Sequence, residues 1–109
     1  MKDDLAFIEH ILLCIDKIQE YTKNLTAQDF GSNELIQDAI IRNIEIIGEA
    51  TKKISKDLKS QYGEIPWKEM SGMRDKLIHD YFGVDVDVVW KTVKEDIPYL
   101  KSLIENIDK

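Results

Sequence analysis

The sequence predicts an all-α fold, an up-and-down bundle of four to five helices. Three observations carry this. Apolar residues recur at three- and four-residue intervals along most of the chain. Only two prolines and five glycines punctuate 109 residues, which favours long helices and short connections. No segment holds a convincing strand pattern. Val84 to Val89 alternates briefly, but its aspartates read better as a turn and a cap.

The first helix is expected roughly from Lys2 to Lys23. Leu5, Ile8, Leu12 and Ile15 mark one stripe, and Phe7, Ile11, Cys14 and Ile18 a second beside it. Together they cover about half the circumference, wider than the usual core-facing stripe of ~100°. Two readings stay open: a helix deep in a bundle, or one stripe facing a second subunit. Asn24 to Ser32 is a polar interruption. Ser32 or Asn33 can cap the next helix, with Glu34 favourable in its first turn. That helix is expected to run to about Ser60, roughly 40 Å at 1.5 Å per residue. Ile36, Ile40, Ile44, Ile47 and Ile54 mark one face, widened by Leu35, Ala39, Ile46 and Ala50. Arg42, Glu45, Glu49 and Lys52 lie opposite. Gly48 weakens the helix, so a close approach by another segment would explain it.

Gln61 to Ile65 reads as a turn. Pro66 suits the first turn of a third helix, where its missing N–H is harmless. This helix carries Trp67, Met70, Met73, Leu77 and Ile78 and should end near Tyr81 to Gly83. Asp85 looks like the next N-cap. Val86, Val89, Trp90, Val93 and Ile97 then continue a helical stripe to Leu100, Ile104 and Ile107. Pro98 should kink or restart this helix, with Asp96 as a new cap.

The length fits a single domain over residues 1–109, large enough for a core without disulfide or metal staples. No window approaches the ~20 apolar residues of a membrane span. MKDDLAFIEH places two acids where an export signal needs positive charge. The lone Cys14 fits a reducing, cytoplasmic setting. The net charge of −6 argues against a bulk-basic nucleic-acid binder. RNA contact would need a local cationic site, or one assembled from two chains. One cysteine and two distant histidines supply no zinc site, and no phosphate-loop or dinucleotide fingerprint is present. His10 lies on the polar side of the first helix and reads as a surface residue. Cys14 sits in an apolar stripe and is a poor nucleophile. Trp67, Met70, Met73 and Trp90 read as core rather than a base-stacking platform. Arg42, Glu45 and Glu49 fit a solvated face, yet could line a cleft.

The chemically informative stretch is MSGMRDKLIHDYFGVD, Met70 to Asp85. Arg74 offers a permanently charged fork suited to phosphate, or to a salt bridge with a neighbouring acid. His79 titrates near neutrality and can be an acid or base, or a capping residue. Asp75, one helical turn earlier, could orient it and favour its protonated form. On an ideal helix Arg74 and His79 stand about 140° apart. Convergence would therefore need the long arginine, a frayed helix end or a dimer axis. Tyr81 returns to the side of Arg74, either facing phosphate or packing as an edge aromatic.

Arg74, His79 and Tyr81 spell R-x4-H-x-Y. The surrounding GMRDKLIHDYFGVD, together with IIRNIEIIGEATKKIS and VDVVWKTVKEDIP, resembles HepT-like toxins of the HEPN superfamily over nearly the whole chain. The resemblance implies a HEPN-like homodimer and a metal-independent ribonuclease needing no cofactor. Catalytic Arg74 and His79 of both protomers would line the interface cleft, with Asp75 in support. It further implies a type II toxin–antitoxin pair. The partner would be an MntA-like nucleotidyltransferase antitoxin that inhibits by AMPylation of Tyr81. The residues suit RNA cleavage, because RNA carries its own nucleophile and needs chiefly proton transfer and charge stabilisation. The alternative is a non-catalytic nucleotide- or nucleotidyltransferase-binding subunit.

Overall fold

The computed structural model describes residues 2–73, 75, 78–80 and 83–107, with side chains described at 3–73, 75 and 85–107. The predicted all-α architecture is what the chain adopts. The first helix, α1 (Lys2–Thr22), packs most extensively against α3 (Glu34–Lys53). Ile8, Ile11, Cys14, Ile15 and Ile18 of α1 meet Ile40, Ile44, Ile47 and Ala50 of α3 in one buried cluster. Burying a side chain of this size contributes about 1.5–3 kcal/mol. Residues from both stripes of α1 are therefore covered within the chain itself. Asn33 caps α3, its side chain accepting from the Ile36 N–H at 3.1 Å.

The polar interruption is more ordered than the sequence suggests. It holds α2 (Ala27–Gly31), closed by a reciprocal box in which the Asp29 N–H donates to Thr26 Oγ1 and the Thr26 N–H to Asp29 Oδ2. Phe30 of this turn is fully buried, its ring 5.2 Å from that of Trp90. The Gln37 side-chain amide donates to the Phe30 and Gly31 carbonyls and fastens α2 to α3.

The helix expected to reach Ser60 is in fact two. α3 stops at Lys53, Ile54 turns extended, and α4 (Lys56–Gln61) begins under a Ser55 cap. The break is held from a distance by Asp4. Its carboxylate accepts from the Ser55 N–H at 2.8 Å and from the Ser55 hydroxyl at 2.6 Å. These bonds, the hydroxyl's first, keep the Asp4 carboxyl below its ordinary value of 3.8.

The third expected helix is also shorter. Pro66 is the N-cap and Trp67 the first helical residue of α5 (Trp67–Ser71). Gly72 closes that turn, and Met73 and Asp75 return to helical geometry. An antiparallel pair follows, β1 (Ile78–Asp80) with β2 (Gly83–Val84), Ile78 opposite Val84 and Asp80 opposite Gly83. A helix reaching Tyr81 to Gly83 is thus not formed. Paired β-branched residues and a glycine suit extended backbone there better than helix.

Asp85 caps α6 (Val86–Lys91) as expected, its Oδ1 accepting from the N–H groups of Asp87 and Val88. Pro98 does not restart the helix. The chain passes through a π-helical turn, Thr92–Asp96, directly into α7 (Ile97–Ile104). Asp96 has helical angles and makes no cap bond. Pro98 has no N–H to offer its preceding turn, and a widened turn just before it accommodates that loss. Lys101 ties α7 to α1 through Asp16 at 3.2 Å and Gln19 at 3.3 Å.

Candidate active site

The motif stretch begins where α5 leans on α3. A Cβ at Gly48 would stand 3.3 Å from the Ser71 carbonyl oxygen and 3.5 Å from that of Met70. The glycine is thus the close approach that its place in a helix suggested. It sets Ser71, three residues before Arg74, directly against α3. Trp67, Met70 and Met73 anchor the segment from below as buried core. The Trp67 indole N–H donates to the Tyr62 carbonyl at 3.1 Å.

Arg74 and Tyr81 lie outside the described residues. Asp75 is helical and exposed, whereas the backbone of His79 belongs to β1. The two are therefore not one turn apart on a continuous helix. That stacking does not apply to this backbone. The backbone changes type between residues 75 and 79.

A hollow of about 300 Å³ adjoins the start of the motif. Met70, Met73 and Leu100 form its apolar lining, with Glu69, Asp96 and Tyr99 among its polar members. Its acids disfavour phosphate. A groove of about 170 Å³ between α1 and α3 is lined by His10, Arg42, Glu49 and Lys53 together with Phe7 and Ile46. Arg42 and Glu49 are exposed and lie along this groove. The sequence reading passed over Lys53, although its spacing of eleven from Arg42 places both on one helix stripe.

Cys14 is buried, and desolvation pushes its thiol above the ordinary range, which disfavours a nucleophilic thiolate. Among the described residues no group of three His, Cys, Asp or Glu side chains is arranged to hold a metal. No described helix is long and apolar enough to cross a membrane.

A small all-α bundle carrying R-x4-H-x-Y after its two long packed helices defines a HEPN-type domain. The chain belongs to the HepT-like ribonuclease family: the family model described as Ribonuclease HepT-like matches residues 11–107, a span that includes Arg74, Asp75, His79 and Tyr81. A relative from Thermococcus cleftensis named "Probable ribonuclease HepT" is 53% identical over 94% of this chain and 94% of its own. "Putative RNase MJ1216" of Methanocaldococcus jannaschii is 49% identical over 99% of this chain and 89% of its own. "Putative RNase TTE0752" of Caldanaerobacter subterraneus is 39% identical over 98% and 96%. No solved structure matches the chain.

Proposed function

We propose that this chain is a metal-independent endoribonuclease acting as a homodimer, with Arg74 and His79 as its catalytic residues. The observation that carries the reading is an intact R-x4-H-x-Y motif inside a family match spanning nearly the whole chain. In the reaction, the RNA 2′-oxygen bonds to phosphorus and the 5′-oxygen departs. The 2′-OH loses a proton and the leaving oxygen gains one. The products are a 2′,3′-cyclic phosphate and a 5′-hydroxyl. His79 moves a proton, and Arg74 stabilises charge on the phosphate oxygens. Asp75 supports the site by positioning His79.

Two protomers sharing one cleft would double its local positive charge, which an overall charge of −6 makes valuable for RNA contact. The same reading makes the chain the cytoplasmic toxin of a toxin–antitoxin pair. A nucleotidyltransferase antitoxin of the MntA type would AMPylate Tyr81, adding bulk and negative charge beside Arg74 and so competing with RNA phosphate.

The test is incubation of the purified chain with cellular RNA in EDTA, beside a folded His79→Ala control. Intact mass first establishes that Tyr81 carries no adduct. Cleavage by wild type alone, leaving cyclic phosphate ends, supports the reading. Loss of proton transfer lowers the rate about 10²–10⁴-fold. Equal cleavage by both proteins sinks the role of His79. No cleavage by either favours the non-catalytic partner of a nucleotidyltransferase. Coexpression with such an enzyme should add one AMP mass, lost in Tyr81→Phe.

A further inference from the structure

We propose that the groove between α1 and α3 is a second RNA contact, holding the phosphate backbone of the strand beyond the cleaved bond. The proposal takes its ligand class from the ribonuclease reading above. Its own support is the placement of charge.

The chain carries 15 basic and 21 acidic residues, so its average surface repels RNA. The groove departs from that average. Arg42 and Lys53 line it from α3 and His10 from the facing α1. Glu49 is its single acid, and Lys52 stands 3.4 Å from Glu49 Oε1, offsetting that charge. Among the described residues, Arg42 and Lys53 have no acidic partner. Three donor side chains therefore surround an opening whose one carboxylate is already engaged.

Spacing favours a strand over a single anion. Arg42 and Lys53 are eleven residues apart, about 16 Å along the axis and only about 20° around it. One phosphate cannot bridge such a span, whereas successive phosphates of an extended chain can. The floor suits a nucleic acid too. Phe7 and Ile46 provide an apolar surface, and the Lys53 ammonium lies 6.0 Å from the Phe7 ring centroid. An aromatic face beside cations is the usual composition of a single-strand contact. The position along α3 is apt as well. Glu49 follows Gly48, the residue on which Ser71 rests, so the groove runs along the same stretch of α3 that receives the helix contact introducing the motif. The hollow beside Met73 is the poorer choice for a phosphate chain, because Glu69 and Asp96 line it.

The test measures binding of a long 2′-O-methyl oligoribonucleotide, which lacks the attacking hydroxyl, across a salt series. Wild type is compared with Arg42→Ala/Lys53→Ala and with Lys17→Ala/Lys23→Ala. The second variant removes the same charge from Lys17 in the last turns of α1 and from Lys23 just after it. Circular dichroism checks that each is folded. The groove variant should bind at least tenfold more weakly, and its salt slope should shrink by about 1.4, from about 0.7 per lost phosphate contact. The control should stay within twofold of wild type, and Arg42→Lys/Lys53→Arg should recover most of the affinity. Equal losses in both alanine variants would reduce the effect to net charge and overturn the proposal. So would unchanged binding by the groove variant, or no binding by wild type.

Cleavage of a dinucleotide, too short to span the groove from Arg42 to Lys53, is followed in the same preparations. Unchanged dinucleotide cleavage with weakened long-strand binding is the expected pair of results. Groove-dependent binding without any cleavage by wild type would keep the groove and remove the catalytic reading alone. Dinucleotide cleavage with groove-independent binding would do the reverse.

Discussion

The α1–α3 pair and the stretch from Trp67 to Val84 are built on opposite terms. In the pair, Ile8, Ile11, Ile15 and Ile18 meet Ile40, Ile44 and Ile47, all with no exposed surface. Each helix is long, about 20 residues, and α3 begins under an Asn33 cap. The other stretch joins a five-residue helix to a two-stranded pair within a few residues. Its order comes from what lies under it, Trp67, Met70 and Met73 in the core and Gly48 beneath Ser71. A long self-consistent pair supports a short irregular segment, and the family motif falls on the irregular one. The main buried pair and the family motif thereby fall on separate parts of the chain.

The strongest way to break that separation is to open the pair itself. Ile44→Ala leaves a hole at a fully buried site and should lower unfolding free energy by about 2–5 kcal/mol. Urea denaturation reads this directly. Activity of the fraction still folded should stay near wild type, since Ile44 lies in the core cluster and not in the motif. A large loss of specific activity at unchanged folded fraction would show that the core and the motif are not separable.

Gly48→Val probes the seam between the two regions and should have the next largest effect. Its side chain would begin 3.3 Å from the Ser71 carbonyl oxygen, a backbone atom with little room to yield. Overpacking of this kind costs about 1–3 kcal/mol. Unlike Ile44→Ala, it should also displace α5 and so reduce cleavage by the folded protein. A stable, fully active Gly48→Val protein would mean that the motif does not depend on this contact.

The same contrast explains what the sequence discloses. Periodicity is reliable where a helix buries a continuous stripe, so α1, α3 and α6 and the Asn33 and Asp85 caps were legible. It fails where a distant residue or a local conflict decides. The break at Ile54 and Ser55 interrupts an apolar pattern that reads as continuous. Its cause is Asp4, 51 residues away. A signal was nonetheless present: Asp4 occupies the stripe of Ile8, Ile11, Ile15 and Ile18, so a carboxylate there must find a partner on burial. Likewise Pro98 announces a disturbance, but only the three-dimensional chain shows it absorbed as a π-helical turn. At the motif, residue types and spacing name Arg74, His79 and Tyr81. The arrangement of Asp75 and His79 escapes such reading, because it presumed a helix where His79 sits in a strand. Lys53 was missed because a groove is a property of two helices, and each helix alone shows only an exposed lysine or histidine.

The smallest predicted effects lie at the Asp4–Ser55 clasp, and they carry a pH sign. Ser55→Ala removes the α4 cap and one of the two bonds to Asp4, and should lower stability by about 0.5–2 kcal/mol. Because those bonds favour the ionised carboxylate, Asp4 has a lower pKa folded than unfolded. Its contribution is therefore fully present well above 3.8, and is lost as pH falls through the folded value. Asp4→Asn abolishes that titration. The stability gap between wild type and Asp4→Asn, taken from urea midpoints, should hold constant from pH 7 to 5 and narrow only as pH drops below about 4. A gap that varies between pH 5 and 7, or that widens in acid, would mean the clasp does not depend on a charged Asp4. The break between α3 and α4 would then need another cause.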